Sequence, residues 1–281
     1  MKKFLAIALA AVMLFVLAAC GGNSDADVVK VVDINLTEEE YAFGVDKAQP
    51  ELLEKVNAFI DKIMEDGTFD EICSHYFGDG EPVAVMSAKE DPSKDQLVVA
   101  TNAAFAPFEY MEGEAYYGID MEIAALLAED LGMELVINNM KFDSVCLTVG
   151  QHKCDIAMAG LTVKEDRKEH VNFSKSYYQA SQKLIAKADN TVFDACADAA
   201  AVEAILSSFD SNTKIGYQNG TTAYYYVTGD EGWGFTGFAT EGKGYDNGAL
   251  AVQDLINGNI DYVIIDAAPA ASIVANFNAL S

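Results

Sequence analysis

Basic residues are scarce in this chain. Eighteen lysines and arginines face 44 aspartates and glutamates, for a formal net charge of −26. Phosphate backbones need a basic footprint, so nucleic-acid binding is excluded and adsorption to anionic lipid is disfavoured. Histidine is scarcer still, at three residues, and the five cysteines form no C-x-x-C pair. That argues against a metal centre, and no motif calls for a cofactor. Long apolar runs are confined to the first 19 residues, and no later stretch is long enough to span a bilayer.

What is present begins with an export signal. Lys2 and Lys3 precede an apolar run from Phe4 to Ala19, too short for a comfortable span, and Gly21-Gly22-Asn23-Ser24-Asp25 follows. Leu17-Ala18-Ala19-Cys20-Gly21 resembles a bacterial lipobox, which implies cleavage before Cys20 and lipid on its sulfur. Residues 1–19 are then a signal peptide and 20–27 a tether. The expected location is the extracellular face of the cell membrane, or the periplasm where an outer membrane exists. Cys73, Cys146, Cys154 and Cys196 remain, an even number in an exported chain. A Cys146–Cys154 bridge and buried free thiols are both open.

The length of 281 residues and 51% apolar content suffice for two cores of ordinary size. From Gln96 onward short apolar strands alternate with amphipathic helices, the signature of parallel βαβ units. Strands are expected at 97–101, 135–137, 155–159, 214–217 and 262–265. Helices are expected at 120–131, 144–149, from 221, at 247–256 and at 267–278. The front of the chain is different: strands at 28–34 and 41–45, then a helix opened by Pro50 and ended by Gly67, then a short helix carrying Phe69, Ile72 and Tyr76. Residues 79–95 hold Pro82, Pro92 and scattered charge without periodicity, and read as a linker.

Six segments then resemble one family in order. Ala100-Thr-Asn-Ala-Ala-Phe-Ala-Pro-Phe-Glu-Tyr110 is similar to the opening strand and loop of the polar-amino-acid family of ABC-importer solute-binding proteins. Gly118-Ile-Asp-Met-Glu122 resembles its helix start, and Asp155-Ile-Ala-Met-Ala-Gly-Leu-Thr-Val-Lys-Glu-Asp-Arg167 its strand-turn-helix motif. Val171-Asn-Phe-Ser-Lys-Ser-Tyr-Tyr178, Ile215-Gly-Tyr-Gln-Asn-Gly-Thr-Thr222 and Asp261-Tyr-Val-Ile-Ile-Asp266 match three more. The resemblance implies an α/β, two-lobe periplasmic-binding-protein-like fold of type II. Each lobe would be a mainly parallel sheet with flanking helices, joined by two crossing strands.

Members of that family continue past the Asp266 helix with a strand, a crossing and two closing helices, whereas this sequence stops at Ser281. Residues 28–78 resemble that missing tail, which implies a circular permutation closed by residues 79–95. Seventeen residues reach at most about 56 Å at roughly 3.3 Å each, ample to join termini on one lobe. Packing of 28–78 within the same molecule and exchange between two molecules are both open, with a monomer expected. Lobe 1 is expected at 46–181 and lobe 2 at 28–40 plus 189–281, with crossings at 41–45 and 182–188.

The resemblance also implies a ligand site. A free α-amino acid carries two ions whose water must be replaced by fixed partners. Arg167 matches the family's carboxylate clamp and suits a bidentate fork, though a Lys-Glu-Asp-Arg-Lys run also fits a solvated helix face. Thr162 is expected to add its hydroxyl and N–H, and Thr221 and Thr222 follow Gly220 at a helix start that favours an anion. Asp266 is expected to take the ammonium with the Gly160 carbonyl, unless it merely caps its helix. Phe105 and Phe142 match aromatic walls or are plain core. Asn102 and Gln218 stand where relatives carry charge, which favours a neutral polar or modestly apolar side chain. Tyr224 to Tyr226 either pack lobe 2 or shape the pocket.

The implied function is capture of an amino acid by hinge closure and delivery to an ABC importer. A ligand-sensing module for a membrane receptor is the alternative. A dehydratase-like enzyme on the same fold is a second alternative, for which no nucleophile–base pair is present.

Overall fold

The computed structural model describes residues 27–281. The expected signal peptide, Cys20 and nearly all of the tether lie outside the described residues. Two five-stranded sheets, each with helices against it, carry the fold.

In chain order the elements are β1 (Val29–Val32), β2 (Glu39–Asp46), α1 (Pro50–Glu65), α2 (Thr68–Phe77), β3 (Gln96–Thr101), β4 (Ala104–Phe105), β5 (Glu109–Glu112) and β6 (Ala115–Tyr117). There follow α3 (Ile119–Leu131), β7 (Glu134–Asn139), a 3₁₀ turn at Phe142–Ser144, α4 (Val145–Gly150), β8 (Ile156–Ala157), α5 (Glu165–Lys168), β9 (Val171–Ala180) and β10 (Gln182–Lys187). The remainder is α6 (Ala199–Ser208), β11 (Lys214–Gln218), α7 (Thr222–Thr228), β12 (Glu241–Tyr245), α8 (Gly248–Ile256), β13 (Tyr262–Asp266) and α9 (Ala267–Ala279).

The first sheet runs β7-β3-β8-β2-β9 and belongs to lobe 1. The second runs β1-β10-β13-β11-β12 and belongs to lobe 2. Both are mixed rather than mainly parallel. β3, β7 and β8 pair in parallel, as do β11, β12 and β13, while β1, β2, β9 and β10 add antiparallel pairs. The antiparallel strands are those that carry the chain between the sheets. β4, β5 and β6 form a small antiparallel sheet beside lobe 1.

Local chemistry accounts for the elements. Pro50 opens α1, where its missing N–H costs nothing, and Leu52, Val56, Phe59, Ile60 and Ile63 bury one face. Gly132 in the left-handed region ends α3. Asp198 and Asn247 cap α6 and α8 by accepting the N–H groups of Ala201 and Leu250. β13 is buried at every position, as a strand covered on both faces should be.

Three expectations are corrected. Residues 41–45 are not a crossing: they pair along their length with β8 and β9 inside lobe 1. Residues 182–187 likewise form β10 of lobe 2. The chain passes between the sheets at residues 33–38 and at Ser181, because hydrogen-bonding strands extend right up to the turn. The strand expected at 155–159 shrinks to Ile156–Ala157, since Gly160 turns the chain at φ +53°. The expected linker runs without helix or strand but is pinned. Val85 bridges to Tyr116, the Ala88 N–H donates to Leu135 O, and the Ile137 N–H donates to Ser87 Oγ.

The first strand and the last helix of the described residues meet. Asn278 accepts the N–H groups of Val28 and Val29 on Oδ1 and donates from Nδ2 to the Val29 carbonyl. Cys146 and Cys154 are buried and unbridged, and Cys73 and Cys196, both half-buried, are unbridged too. No helix among the described residues is long and apolar enough to cross a membrane.

Candidate functional site

The residues singled out from sequence follow the C-terminal ends of parallel strands. Asn102 follows β3, Gly160 and Thr162 follow β8, Gln218 ends β11, and Asp266 ends β13. Open α/β sheets bind ligands there, because the strand ends leave a crevice that loops can line. Here two such sheets turn those ends toward one another.

Arg167 belongs to the one-turn helix α5 and is 7% exposed. The solvated-helix alternative therefore fails, although its neighbours Glu165 and Lys168 are exposed. The guanidinium donates to Thr162 O at 2.8 Å and, across the lobes, to Gly220 O at 3.0 Å. Its carbon lies 5.2 Å from the Phe142 ring centre and 5.3 Å from that of Trp233. The aromatic faces hold the fork in plane and displace water.

Asp266 is 4% exposed and precedes α9 without capping it. Its Oδ1 instead accepts the hydroxyl of Tyr41, from the other lobe, at 2.5 Å. Burial, followed by the nearby Glu39 carboxylate, pushes the Asp266 pKa up to about 7 against the help of Tyr41. Tyr41 and Thr162 are bridge partners. A guanidinium from lobe 1 and an acid from lobe 2 are thus tied to the two members of this pair, Arg167 through the Thr162 carbonyl and Asp266 through the Tyr41 hydroxyl.

The threonines depart from expectation. The hydroxyls of Thr162 and Thr222 do not stand free for a ligand; both donate to Oε2 of Glu39, at 2.7 and 2.6 Å. Thr221 donates its hydroxyl back to Gln218 O. A fixed buried carboxylate out-competes solvent for nearby hydroxyls, and the sequence motif gives no sign of it. The bridge bonds run from Ala42 N–H to Leu161 O and from Val163 N–H to Glu40 O. That pattern turns the N–H of Thr162 away from β2.

Gly160 donates its N–H to Asp120 Oδ2 at 2.9 Å, and a Cβ on it would meet the Phe105 ring at 2.9 Å. Phe105 is buried and Phe142 half-buried. Gln218 donates from Nε2 to Asn102 Oδ1, joining the lobes at 2.9 Å, while Asn102 Nδ2 donates to Met140 O. Gln218 Oε1 is buried without a partner. Of the tyrosines, Tyr226 packs in lobe 2 and donates to Glu203. Tyr225 stacks on Trp233 at 4.4 Å, beside Arg167.

Sequence reasoning passed over Glu39, Tyr41, Glu109, Asp120 and Trp233. Asp120 accepts from Gly160 and Tyr177, and burial lifts its pKa to about 7. Glu109 is fully buried with neither oxygen partnered, and burial with Asp120 and Asp266 nearby raises its pKa well above the ordinary range. An acid inside an aromatic run, as in Pro107-Phe108-Glu109-Tyr110, was the available signal. A groove of about 650 Å³ with mostly apolar walls lies elsewhere, under α2 and α3. Its acid Glu122 is already engaged by His75, Tyr76 and Val83.

Two α/β lobes joined by two crossings, with charges of opposite sign meeting between them, define a two-lobed solute-binding protein of type II. The chain belongs to the bacterial extracellular solute-binding proteins, family 3, whose pattern matches residues 97–263. An arginine-binding extracellular protein of Bacillus subtilis (strain 168), ArtP, is 33% identical over 102 residues, covering 36% of this chain and 40% of its own. An arginine-binding periplasmic protein of Mannheimia haemolytica is 28% identical over 172 residues, covering 61% and 63%. The matches thus span less than two thirds of either relative's length. Among solved structures, an ancestral arginine-binding protein bound to arginine matches with TM-score 0.53 at 27% identity, covering 65% of this chain and 75% of that one. An ancestral amino acid-binding protein, a precursor of cyclohexadienyl dehydratase, matches with TM-score 0.53 at 26% identity, covering 74% and 78%.

Proposed function

We propose that this protein captures a free amino acid between its lobes and delivers it to the membrane subunits of an ABC importer. Lipid on Cys20 would hold it at the outer face of the cell membrane, or in the periplasm. One observation carries the reading: Arg167 and Asp266, from opposite lobes, converge on the bridged pair Tyr41–Thr162. A zwitterion can satisfy both only if the lobes close on it, which gives the differential affinity that hinge closure needs. Arg167 takes the carboxylate with the Thr162 and Thr222 N–H groups, Asp266 takes the ammonium with the Gly160 carbonyl, and Phe105 and Phe142 wall the site.

At the far end, the unpartnered Oε1 of Gln218 is an acceptor without a donor. A buried orphan acceptor favours a side chain that ends in N–H groups. Glutamine and histidine fit the uncharged Asn102–Gln218 pair; arginine is the cationic member of the same class.

A circular permutation is part of the same reading. The front segment supplies β2 between β8 and β9 and β1 at the edge of lobe 2, and Val28 adjoins Asn278 of the last helix. Lobe 1 then comprises about 39–180, with 79–95 closing it, and lobe 2 about 28–32 plus 182–281.

The test is thermal denaturation against the twenty amino acids. One or a few ligands bearing terminal N–H donors should raise the melting temperature, and Asp266→Ala should abolish the rise. Stabilisation by none of the twenty would refute the assignment.

A further inference from the structure

Glu39, the first residue of β2, is 6% exposed and accepts four hydrogen bonds. On Oε1 it takes the Thr37 hydroxyl at 2.6 Å and Gln182 Nε2 at 3.0 Å, one from each segment at the crossings. On Oε2 it takes Thr162 from lobe 1 at 2.7 Å and Thr222 from lobe 2 at 2.6 Å, and those two hydroxyl oxygens lie 3.3 Å apart. No ion pair reaches it among the described residues. A buried carboxylate without a cation is costly, and these four donors are its compensation. Opening the cleft separates Thr162 from Thr222, so Oε2 loses at least one donor. Only the closed arrangement gives the carboxylate fixed donors from both lobes at once, which offsets its closeness to Asp266.

We propose that Glu39 is a positioning residue for closure: its carboxylate gathers one hydroxyl from each lobe onto a single oxygen and adds to the stability of the closed cleft that a bound amino acid completes. The proposal rests on the hinge-closure reading above. It assigns the two threonine hydroxyls to the latch and their backbone N–H groups to the ligand. It also makes Glu39 and the cross-lobe bond from Arg167 to Gly220 O a matched pair, one anionic and one cationic, on the same seam.

The chain contains one tryptophan, and it sits on this seam. Trp233 of lobe 2 donates from Nε1 to Asp166 of lobe 1 at 3.3 Å and lies under Lys164, whose ammonium is 4.6 Å from its ring centre. The full chain labelled with 5-fluorotryptophan therefore reports closure by fluorine NMR without any ligand. Glu39→Gln keeps one acceptor and turns an NH₂ toward donors, so an open resonance should grow about tenfold relative to the closed one. Thr222→Val, which removes a single hydroxyl, should give a smaller growth, and its effect should nearly vanish in the Glu39→Gln background. If Glu39→Gln does not fold, Thr222→Val and Thr162→Val decide alone. Unchanged populations in folded variants would overturn the latch. Tighter binding by Glu39→Gln of any amino acid that stabilises the wild type would do so too, showing an internal competitor instead. Because the NMR needs no amino acid, failure of the ligand assignment leaves this test standing.

Discussion

Asp266 carries the chemistry at the level of single residues. Its pKa rises from an unfolded value near 3.8 to about 7. The folded, empty protein therefore prefers the neutral acid. That preference stabilises the fold fully below pH 3.8 and is lost as the pH climbs through 7. Asp120, also lifted to about 7, adds a change of the same sign. An empty cleft should accordingly lose stability between about pH 4 and 7, measurable by denaturant unfolding at each pH. A bound ammonium reverses the preference, since it needs the carboxylate. Amino-acid affinity should then rise with pH and level off above about 7, with release of up to about one proton near pH 6. Calorimetry in two buffers of different ionisation enthalpy measures that proton directly. Glu39, Tyr41 and Glu109 lie near the group, so Asp266→Asn is the control: it should flatten the profile and weaken binding roughly thirtyfold or more, as loss of one partner from a buried charge pair does. A flat profile in the wild type would contradict the ammonium assignment. Arg167→Lys should also weaken binding, by about tenfold or more, because an ammonium cannot span Thr162 O and Gly220 O while forking a carboxylate.

Among the elements, legibility followed apolar periodicity. α1, α3, α8, α9 and the strands β3, β7, β11 and β13 have dense apolar spacing and were readable to within a few residues. β12, with the sequence Glu-Gly-Lys-Gly-Tyr, has no apolar pattern at all, and its place comes from parallel pairing with β11. α6, which was not expected from the sequence, is a short Ala-rich helix whose capping Asp198 sits among alanines that give no amphipathic pattern. β9 is only partly buried, and its strand character comes from pairing with β2, which lies far away in sequence. The site divides in the same way. Arg167, Asp266 and Gly160 sit in motifs and were legible. Glu39 and Tyr41 matter because β2 brings them to Thr162 and Asp266, a tertiary fact without a local signal. The loop at Gly160 tests the fit of element to site. Gly160→Ala adds a Cβ at φ +53° that meets Phe105 at 2.9 Å. The left-handed backbone costs about 1–2 kcal/mol, and the displaced aromatic wall should weaken ligand binding as well. A variant with lower stability but unchanged affinity would remove Phe105 from the pocket.

At the scale of the whole molecule, the question is whether chain order matters to the closed fold. α1 buries Val56, Phe59, Ile60 and Ile63 against lobe 1, and the Lys175 N–H of β9 donates to Asn57 Oδ1. A front segment seated in this way is core, not appendage. Phe59→Ala should cost about 3–5 kcal/mol of lobe stability, read by denaturant unfolding. The stronger test rearranges the chain itself. Asn278 already bonds Val28 and Val29, so a few glycine and serine residues should join Ser281 to Asp27. A chain beginning at Gln96 and ending at Gly78 should then fold as a monomer, with the same amino-acid preference and the same closed fraction. Permutation leaves every native contact in place and alters only loop-closure entropy, which depends weakly on length. Stability should therefore change by only about 1–2 kcal/mol. The linker is a partial exception, because Val85, Ser87 and Ala88 tie it to Tyr116, Ile137 and Leu135. Keeping residues 79–95 as the leader of the rearranged chain separates the loss of those bonds from the effect of order. A rearranged chain that dimerises, or that folds without binding, would mean that residues 28–78 do not complete the lobes of their own molecule.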